Sequence, residues 1–454
     1  MTISENITDL EIKENKELFP FDSKVNKEGH LIISGFDVVK LIEKYDSPLY
    51  LIDENTFRIK ANEYLSSLKK YYNDFLVLYA GKAFACTAIF KIANDLGLGL
   101  DVVSGGELFI ALKVGFNKKN IYFHGNNKSK DEIEMAVKNQ IGKIVCDNFY
   151  ELELIQKIAK ENNKTADILI RLTPGIECHT HDYIKTGHLD SKFGFDLEYF
   201  DDVFDFIKTK GQNIKIAGVH SHIGSQIFEL KPFSDTIEIL LDYFQKAKEK
   251  YNIELTEINI GGGLGISYIK EDDPVQIEEW AKTTTETIKQ KCKKLNLKLP
   301  KLICEPGRSL IGPSGITLYK VGSIKKVPNG RKFISVDGGM ADNPRPITYQ
   351  AKYSAVLANK MNNTKKENLE LVTIAGRYCE TGDILIKDIS LPKVSIGDII
   401  AVLNTGAYNY SMSSNYNMVP RPACVLLSRG KEDLIIERED YEFLISKHKI
   451  PKWL

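Results

Sequence analysis

Little in this sequence would take the chain out of a reducing, aqueous compartment. Its 454 residues contain no run of about 18 apolar residues, so no membrane-spanning helix is expected. The seven cysteines are scattered, odd in number and without a CxxC pair, which argues against a disulfide framework or a zinc ribbon. Net charge is absent as well. Lys plus Arg and Asp plus Glu number 61 each, leaving no field to draw the chain to nucleic acid or to a membrane surface. Residues 1–19, MTISENITDLEIKENKELF, are acidic and polar and lack the basic start and apolar centre of a secretory signal. No short-period repeat and no low-complexity segment interrupts the chain. A cytoplasmic protein is expected, with no nucleic-acid and no membrane partner.

What is present is length and alternation. The chain is too long for one hydrophobic core, so two domains are the expectation. Short apolar runs recur at 75–79, 99–103, 120–123, 143–146, 167–172, 215–220, 257–260 and 301–304. Helical patterns lie between them, at 106–114, 130–138, 150–161, 199–208, 233–250 and 275–295. Strands alternating with helices indicate a parallel sheet, and eight such units indicate a closed (β/α)8 TIM barrel. A doubly wound open sheet is the alternative. After Pro313 helical patterns nearly vanish. Runs rich in Val, Ile, Leu and Tyr appear at 316–327, 332–336, 369–374, 399–403 and 423–427, which reads as an all-β domain, a small barrel. The expected division is an N-terminal extension over 1–47 whose strands join the β domain, a barrel over 48–313 and a β-barrel domain over 314–454.

The chain is organised around YAGKAF, residues 79–84. An apolar strand precedes it. Ile89, Phe90, Ile92, Ala93 and Leu96 then mark a helical face. Lys82 therefore stands just past a strand's carboxyl end, where a barrel keeps its working residues. A solvated loop lysine is the plain reading; an amine poised to form a Schiff base is the chemical one. The other strand ends favour chemistry. Asp101 follows the second run, Arg171 lies on the fifth, HSHIGSQ (220–226) ends the sixth, GGGLG (261–265) the seventh and EPGR (305–308) the eighth. The glycines let backbone N–H groups approach a phosphate. Ser225 adds a hydroxyl, His222 a flat ring and Glu305 a carboxylate that can keep a ring nitrogen protonated. Together with a lysine, this set describes a pyridoxal-phosphate site.

These motifs resemble the fold-type III pyridoxal-phosphate decarboxylases, whose barrel is like that of alanine racemase. Three more narrow the resemblance: DGGMADNPRPITYQ (337–350), AGRYCETGD (375–383) and GAYNYSMSSNYN (406–417). The chain is similar, from about residue 47 to about 427, to the diaminopimelate decarboxylase family. The resemblance implies decarboxylation of meso-diaminopimelate at its D-centre to give L-lysine and carbon dioxide, the last step of lysine biosynthesis. It implies Lys82 as the residue joined to the cofactor and His222 as the stacking ring. It implies Ser225, Gly261, Gly262, Gly263, Glu305, Gly307 and Arg308 as cofactor contacts, with Glu305 facing the pyridine nitrogen. Arg308, Arg345, Tyr349 and Glu380 match residues gripping the far end of the substrate, Tyr408 one touching both cofactor and substrate, and Cys379 the proton donor. In the family that cysteine and glutamate come from a second subunit, so a homodimer with shared active sites is implied. Arg377 and Tyr378 precede the cysteine where glycine-proline sequences are common.

Competing readings weigh less. Cys178, His179, His181 and His188 suggest a metal site, but the family has a similar polar stretch there without a metal, and none is expected. Asp101 and Arg171 are read as supporting the Schiff base or as a plain ion pair at the rim; His220 is read as structural. A sister decarboxylase of ornithine, arginine or carboxynorspermidine is the alternative function. Arg308, Arg345 and Glu380 argue against simple diamines. Glu305 argues against a racemase, and the presence of both Lys82 and Cys379 against a non-catalytic relative.

Overall fold

Eight short strands form a ring in the computed structural model, which describes residues 10–176, 191–328, 330–362 and 369–454. They are β1 (Phe75–Ala80), β2 (Gly99–Val102), β3 (Ile121–Phe123), β4 (Lys143–Cys146), β5 (Ala166–Thr173), β6 (Ile214–His220), β7 (Glu257–Asn259) and β8 (Lys301–Cys304). Each pairs in parallel with the next, and β8 pairs with β1 through Leu302 and Phe75, which closes the barrel. That closure excludes the open doubly wound sheet. The strands are near-continuous apolar runs because ring and helices bury both faces. Leu76, Leu78, Tyr122, Val145, Leu169, Ala217 and Ile303 form an inner core. At the amino end of the ring, Tyr122 Oη donates to Glu257 Oε2 at 2.9 Å and Lys143 Nζ stands 3.3 Å from Glu257 Oε1.

The turns after the strands are short because the next helix is capped at once. Ser104 accepts from the backbone of Glu107, Ser129 and Glu132 form a reciprocal capping box, and Asn148 accepts from Glu151. Each cap keeps a strand's carboxyl end and its helix start in a fixed relation. Where β6 bulges, Gly218 lies so close to β7 that a Cβ would stand 1.7 Å from Glu257 O. Only glycine allows that approach.

The second unit is built on sheets. Its larger sheet has nine strands, with Gly315–Lys326 as the spine. That strand pairs with Leu49–Asp53, Lys332–Val336 and Ile399–Val402, all antiparallel. Alternation along Ile399–Val402 separates two cores. Ile399 and Ala401 pack with Leu49, Leu51, Ile316 and Leu318, whereas Ile400 and Val402 pack with Tyr319, Val321 and Ile334.

The domain boundary differs from the expectation at residue 48. The compact units are Met1–Arg58, Ile266–Asp272 and Ile311–Leu454 on one side, and Ile59–Gly265 and Asp273–Leu310 on the other. The reason is Leu49–Asp53. It is buried along its length and sits between Gly315–Lys326 and Ala423–Ser428, as an interior strand of the β unit. Three further strands of the nine-stranded sheet lie outside the runs read from sequence: Ala355–Leu357, Ile384–Pro392 and Lys431–Ile436. The first is very short, and the other two carry exposed polar residues that blur the apolar signal. Cys178, His179, His181 and His188 lie outside the described residues. Among the described residues, no helix is long and apolar enough to cross a membrane.

Candidate active site

On the barrel, the expected residues meet at one end of the ring. Lys82 sits in a single turn, Gly81–Ala83, directly after β1. The end of β1 is tied to the segment after β8 by Ala80 N donating to Pro306 O at 3.1 Å. Gly307 packs against it so closely that a Cβ would be 3.0 Å from the Ala80 methyl. The lysine turn and the EPGR segment are thus held together by backbone. The charge of Lys82 reaches Asp101, Glu107 and His222, lowering the proton affinity of each.

Glu305 is the most heavily engaged group. It is 6% exposed. Asn259 Nδ2 donates to its Oε1 at 2.7 Å, His124 Nε2 lies 2.7 Å from the same oxygen, and His220 Nε2 lies 3.2 Å from Oε2. Burial alone would raise its pKa; neighbouring His124 and the hydrogen bond from His220 outweigh it and hold the carboxyl well below the usual range. Burial drives His220 the other way, down to about 3, so that ring is neutral. Asp101, buried beside them with Oδ1 3.7 Å from His124, is pushed up by burial. Two neighbouring carboxyls are therefore driven apart, Glu305 ionised and Asp101 biased to the acid form. The ligand-type atoms of His124, His220 and Glu305 lie within 4.8 Å of one another, but Glu305 is already engaged by both rings and by Asn259.

His222 is half-buried, and burial, aided by Lys82 and Arg171, holds its ring well below the ordinary histidine pKa. A neutral, flat ring results. Ser225 Oγ accepts two bonds from the Arg308 guanidinium, from Nη2 at 2.8 Å and from Nε at 3.2 Å. Beside it runs the glycine turn. A Cβ at Gly261 would lie 2.8 Å from His222 Nδ1, at Gly262 2.3 Å from Glu305 O, and at Gly263 2.7 Å from Gly224 O. Gly261 and Gly263 also have positive φ, 67° and 123°. These donors and bare backbone fit a phosphate, and ionised Glu305 fits a protonated heterocycle. Buried Ser221 Oγ, His220 Nδ1 and Asp101 Oδ1 have no hydrogen-bond partner among the described residues, so polar capacity remains for a bound group. The donor set fits pyridoxal phosphate.

Arg171 pairs with Asp147, at 3.8 Å, and stacks 4.3 Å over the Phe193 ring, so the rim ion pair weighed for Asp101 is not the one formed. His124 and Asn259 complete the Glu305 site without having been singled out. His124 follows β3 directly, the position that strand-end reasoning marks. Asn259 ends β7 and also accepts from Gly261 N at 2.9 Å.

The β unit carries the rest. Arg345 and Tyr349 share one short helix. Arg345 is buried, whereas Tyr349 and Tyr408 are half-buried, and Tyr408 has φ of 60°. Cys379 and Glu380 are exposed at the tip between Leu369–Ala375 and Ile384–Pro392. Two acids set this tip. Asp383 accepts from Met340 N at 2.7 Å and from Tyr378 N at 2.9 Å. Asp342 accepts from Tyr378 Oη at 3.3 Å and from Tyr319 Oη. Tyr378 thus anchors its neighbour Cys379 to the sheet.

Burial raises Asp342 from 3.8 to about 7. A carboxyl whose folded pKa exceeds its unfolded one binds more protons when folded, so its contribution falls as pH rises between those values. Between about pH 4 and pH 7 wild type loses stability that Asp342→Asn does not lose. Melting temperatures of the two across that range should converge or cross as pH rises; a constant gap would remove Asp342 from the titration.

Residues 58–312 match the family described as pyridoxal-dependent decarboxylase, pyridoxal binding domain. The chain is 50% identical over 449 residues to a diaminopimelate decarboxylase of Synechocystis sp., covering 97% of this chain and 94% of that one. It is 44% identical over 424 residues to the diaminopimelate decarboxylase of Bacillus subtilis, covering 93% and 96%. A crystal structure of diaminopimelate decarboxylase from M. jannaschii in complex with L-lysine superposes with a TM-score of 0.89 at 37% identity, covering 96% of this chain and all of that one.

Proposed function

Because the chain belongs to the diaminopimelate decarboxylase family, we propose that it removes the carboxylate from the D-centre of meso-diaminopimelate, releasing L-lysine and carbon dioxide. The observation that carries this reading is Glu305, a buried carboxylate kept ionised at the end of β8 beside the lysine turn. When bound, pyridoxal phosphate supplies an aldehyde that an amine can join and a ring that draws electrons from the breaking carbon–carbon bond.

The chain's own groups divide the remaining work. Lys82 offers the amine. Ser225, Arg308, Gly261, Gly262, Gly263 and Gly307 would hold the phosphate, and neutral His222 would lie against the ring. Glu305 would keep a proton at the ring nitrogen. Tyr408 would contact cofactor and substrate when they are bound. Arg308, Arg345, Tyr349 and Glu380 receive the far end of the substrate, itself an amino acid, so guanidiniums face its carboxylate and a carboxylate its ammonium. Cys379 Sγ gives a proton to the carbon that has lost its carboxylate.

The assembly is a homodimer in which each site takes Cys379 and Glu380 from the partner subunit. Their exposure supports this, as do the exposed side chains of Met412, Tyr416 and Met418. Tyr416 Oη donates to Cys379 O at 3.4 Å, and the neighbouring Asn417 Oδ1 accepts from Cys379 N at 3.0 Å. None of the six described cysteines forms a disulfide with another described residue, which suits the cytoplasm.

The direct test is carbon dioxide release from meso-diaminopimelate with L-lysine as product, against ornithine. A faster rate on ornithine would replace this reading with the sister decarboxylase. Cys379→Ala is expected to cut kcat by about 10²–10³-fold with substrate affinity kept. Mixing inactive Lys82→Ala and Cys379→Ala proteins should restore activity towards about a quarter of wild type, since random dimers contain one intact site in half of the assemblies. No recovery after subunit exchange would place both residues of each site in one subunit.

A further inference from the structure

Arg345 carries a full charge at 5% exposure, yet among the described residues it has no carboxylate partner. A guanidinium offers five N–H donors. Among the described residues one hydrogen bond is made, from Nη1 to Tyr353 Oη at 2.5 Å. The other neighbours are aromatic faces. Cζ stands 4.6 Å from the centre of the Tyr268 ring and 5.5 Å from that of Tyr353. The two rings meet edge to face, 5.0 Å apart at 74°.

Both rings are themselves fixed. Tyr353 and Tyr268 are 3% and 4% exposed. Asn409 Nδ2 holds Tyr353 Oη at 3.2 Å and donates to Thr405 O at 3.1 Å. Asp272 Oδ2 accepts from the backbone of Tyr268 at 2.8 Å and of Ile269 at 3.1 Å. Aromatic faces stabilise a cation without neutralising it. A carboxylate in their place would neutralise it and compete with an incoming anion.

We propose that Tyr268 and Tyr353 are positioning residues, an aromatic clamp that keeps the Arg345 guanidinium dry, aimed and unneutralised, so that a carboxylate on the distal end of the substrate becomes a requirement for binding. This rests on the reading that Arg345 receives that carboxylate. A diamine would leave the buried charge unanswered, and a site built around a polar partner rejects the analogue lacking it. Discrimination against diamines then comes from the tyrosines as well as from the arginine.

The test uses the holoenzyme. In Tyr353→Phe and Tyr268→Leu, KM for meso-diaminopimelate and the calorimetric dissociation constant of L-lysine should rise about tenfold. The change in kcat should stay within about twofold. Tyr268→Phe, which keeps the ring, should recover most of the L-lysine affinity lost in Tyr268→Leu. Binding of cadaverine, which has no carboxylate, should not weaken. If cadaverine and L-lysine weaken alike, or kcat falls in step with affinity, the rings only pack and the clamp is overturned. Arg345→Gln separates the two readings. If it leaves L-lysine binding intact, Arg345 is not the carboxylate receptor, and the functional assignment of that residue falls with the clamp. If it weakens L-lysine while both tyrosine variants bind as wild type, the clamp alone falls.

Discussion

Lys82→Ala protein is expected to lose at least about a thousandfold in kcat, because a nucleophile that acts as one unit with its surroundings is not replaced by them. The backbone ties argue that the fold survives. Lys82 is only half-buried, and its turn is held by Ala80 N to Pro306 O at 3.1 Å, a bond the substitution leaves intact. Wild type supplied with pyridoxal phosphate should gain a visible absorbance that the variant lacks, while the two melt alike without cofactor. Normal turnover in the variant, or a wild type that stays colourless with the cofactor, would remove Lys82 from the chemistry.

Glu305→Gln should cost about 10²–10³-fold in kcat, the usual size of losing one preorganised electrostatic group in a water-excluded site. The carboxylate is isosteric with the amide, so packing is kept and the charge alone is lost. Asn259 Nδ2 would still find an acceptor in the amide oxygen, and burial keeps the neighbouring His220 ring neutral. KM should move little. Since Glu305 is held well below the usual carboxylate range, wild-type activity should not fall on the acid side near pH 4 to 5 through its protonation. A Glu305→Gln protein with wild-type kcat would show that the ring nitrogen needs no ionised partner.

Much of the barrel was legible because its strands are apolar runs of the right length, separated by helices with local caps such as Ser104, Ser129 and Asn148. Lys82, the glycine turn and Glu305 were legible for a related reason. Their chemistry is hard to explain by packing, and their places at strand ends follow from the alternation alone. His124 was equally well placed but has an unremarkable sequence neighbourhood, and its value depends on Glu305 arriving from a strand that closes the ring from the far end of the domain.

Residue types, spacing and the period of hydrophobicity were sufficient by themselves for the eight-fold alternation, the change to an all-β texture and the motif residues. These are local properties, set by backbone sterics and side-chain direction over a few residues. The pairing of Leu49–Asp53 with Gly315–Lys326, the two histidines and the asparagine on Glu305, the anchoring of Tyr378 by Asp342 and the aromatic faces around Arg345 were decided only in three dimensions. Each joins residues distant in the chain, and burial there sets which group keeps its charge, a quantity no short stretch of sequence encodes.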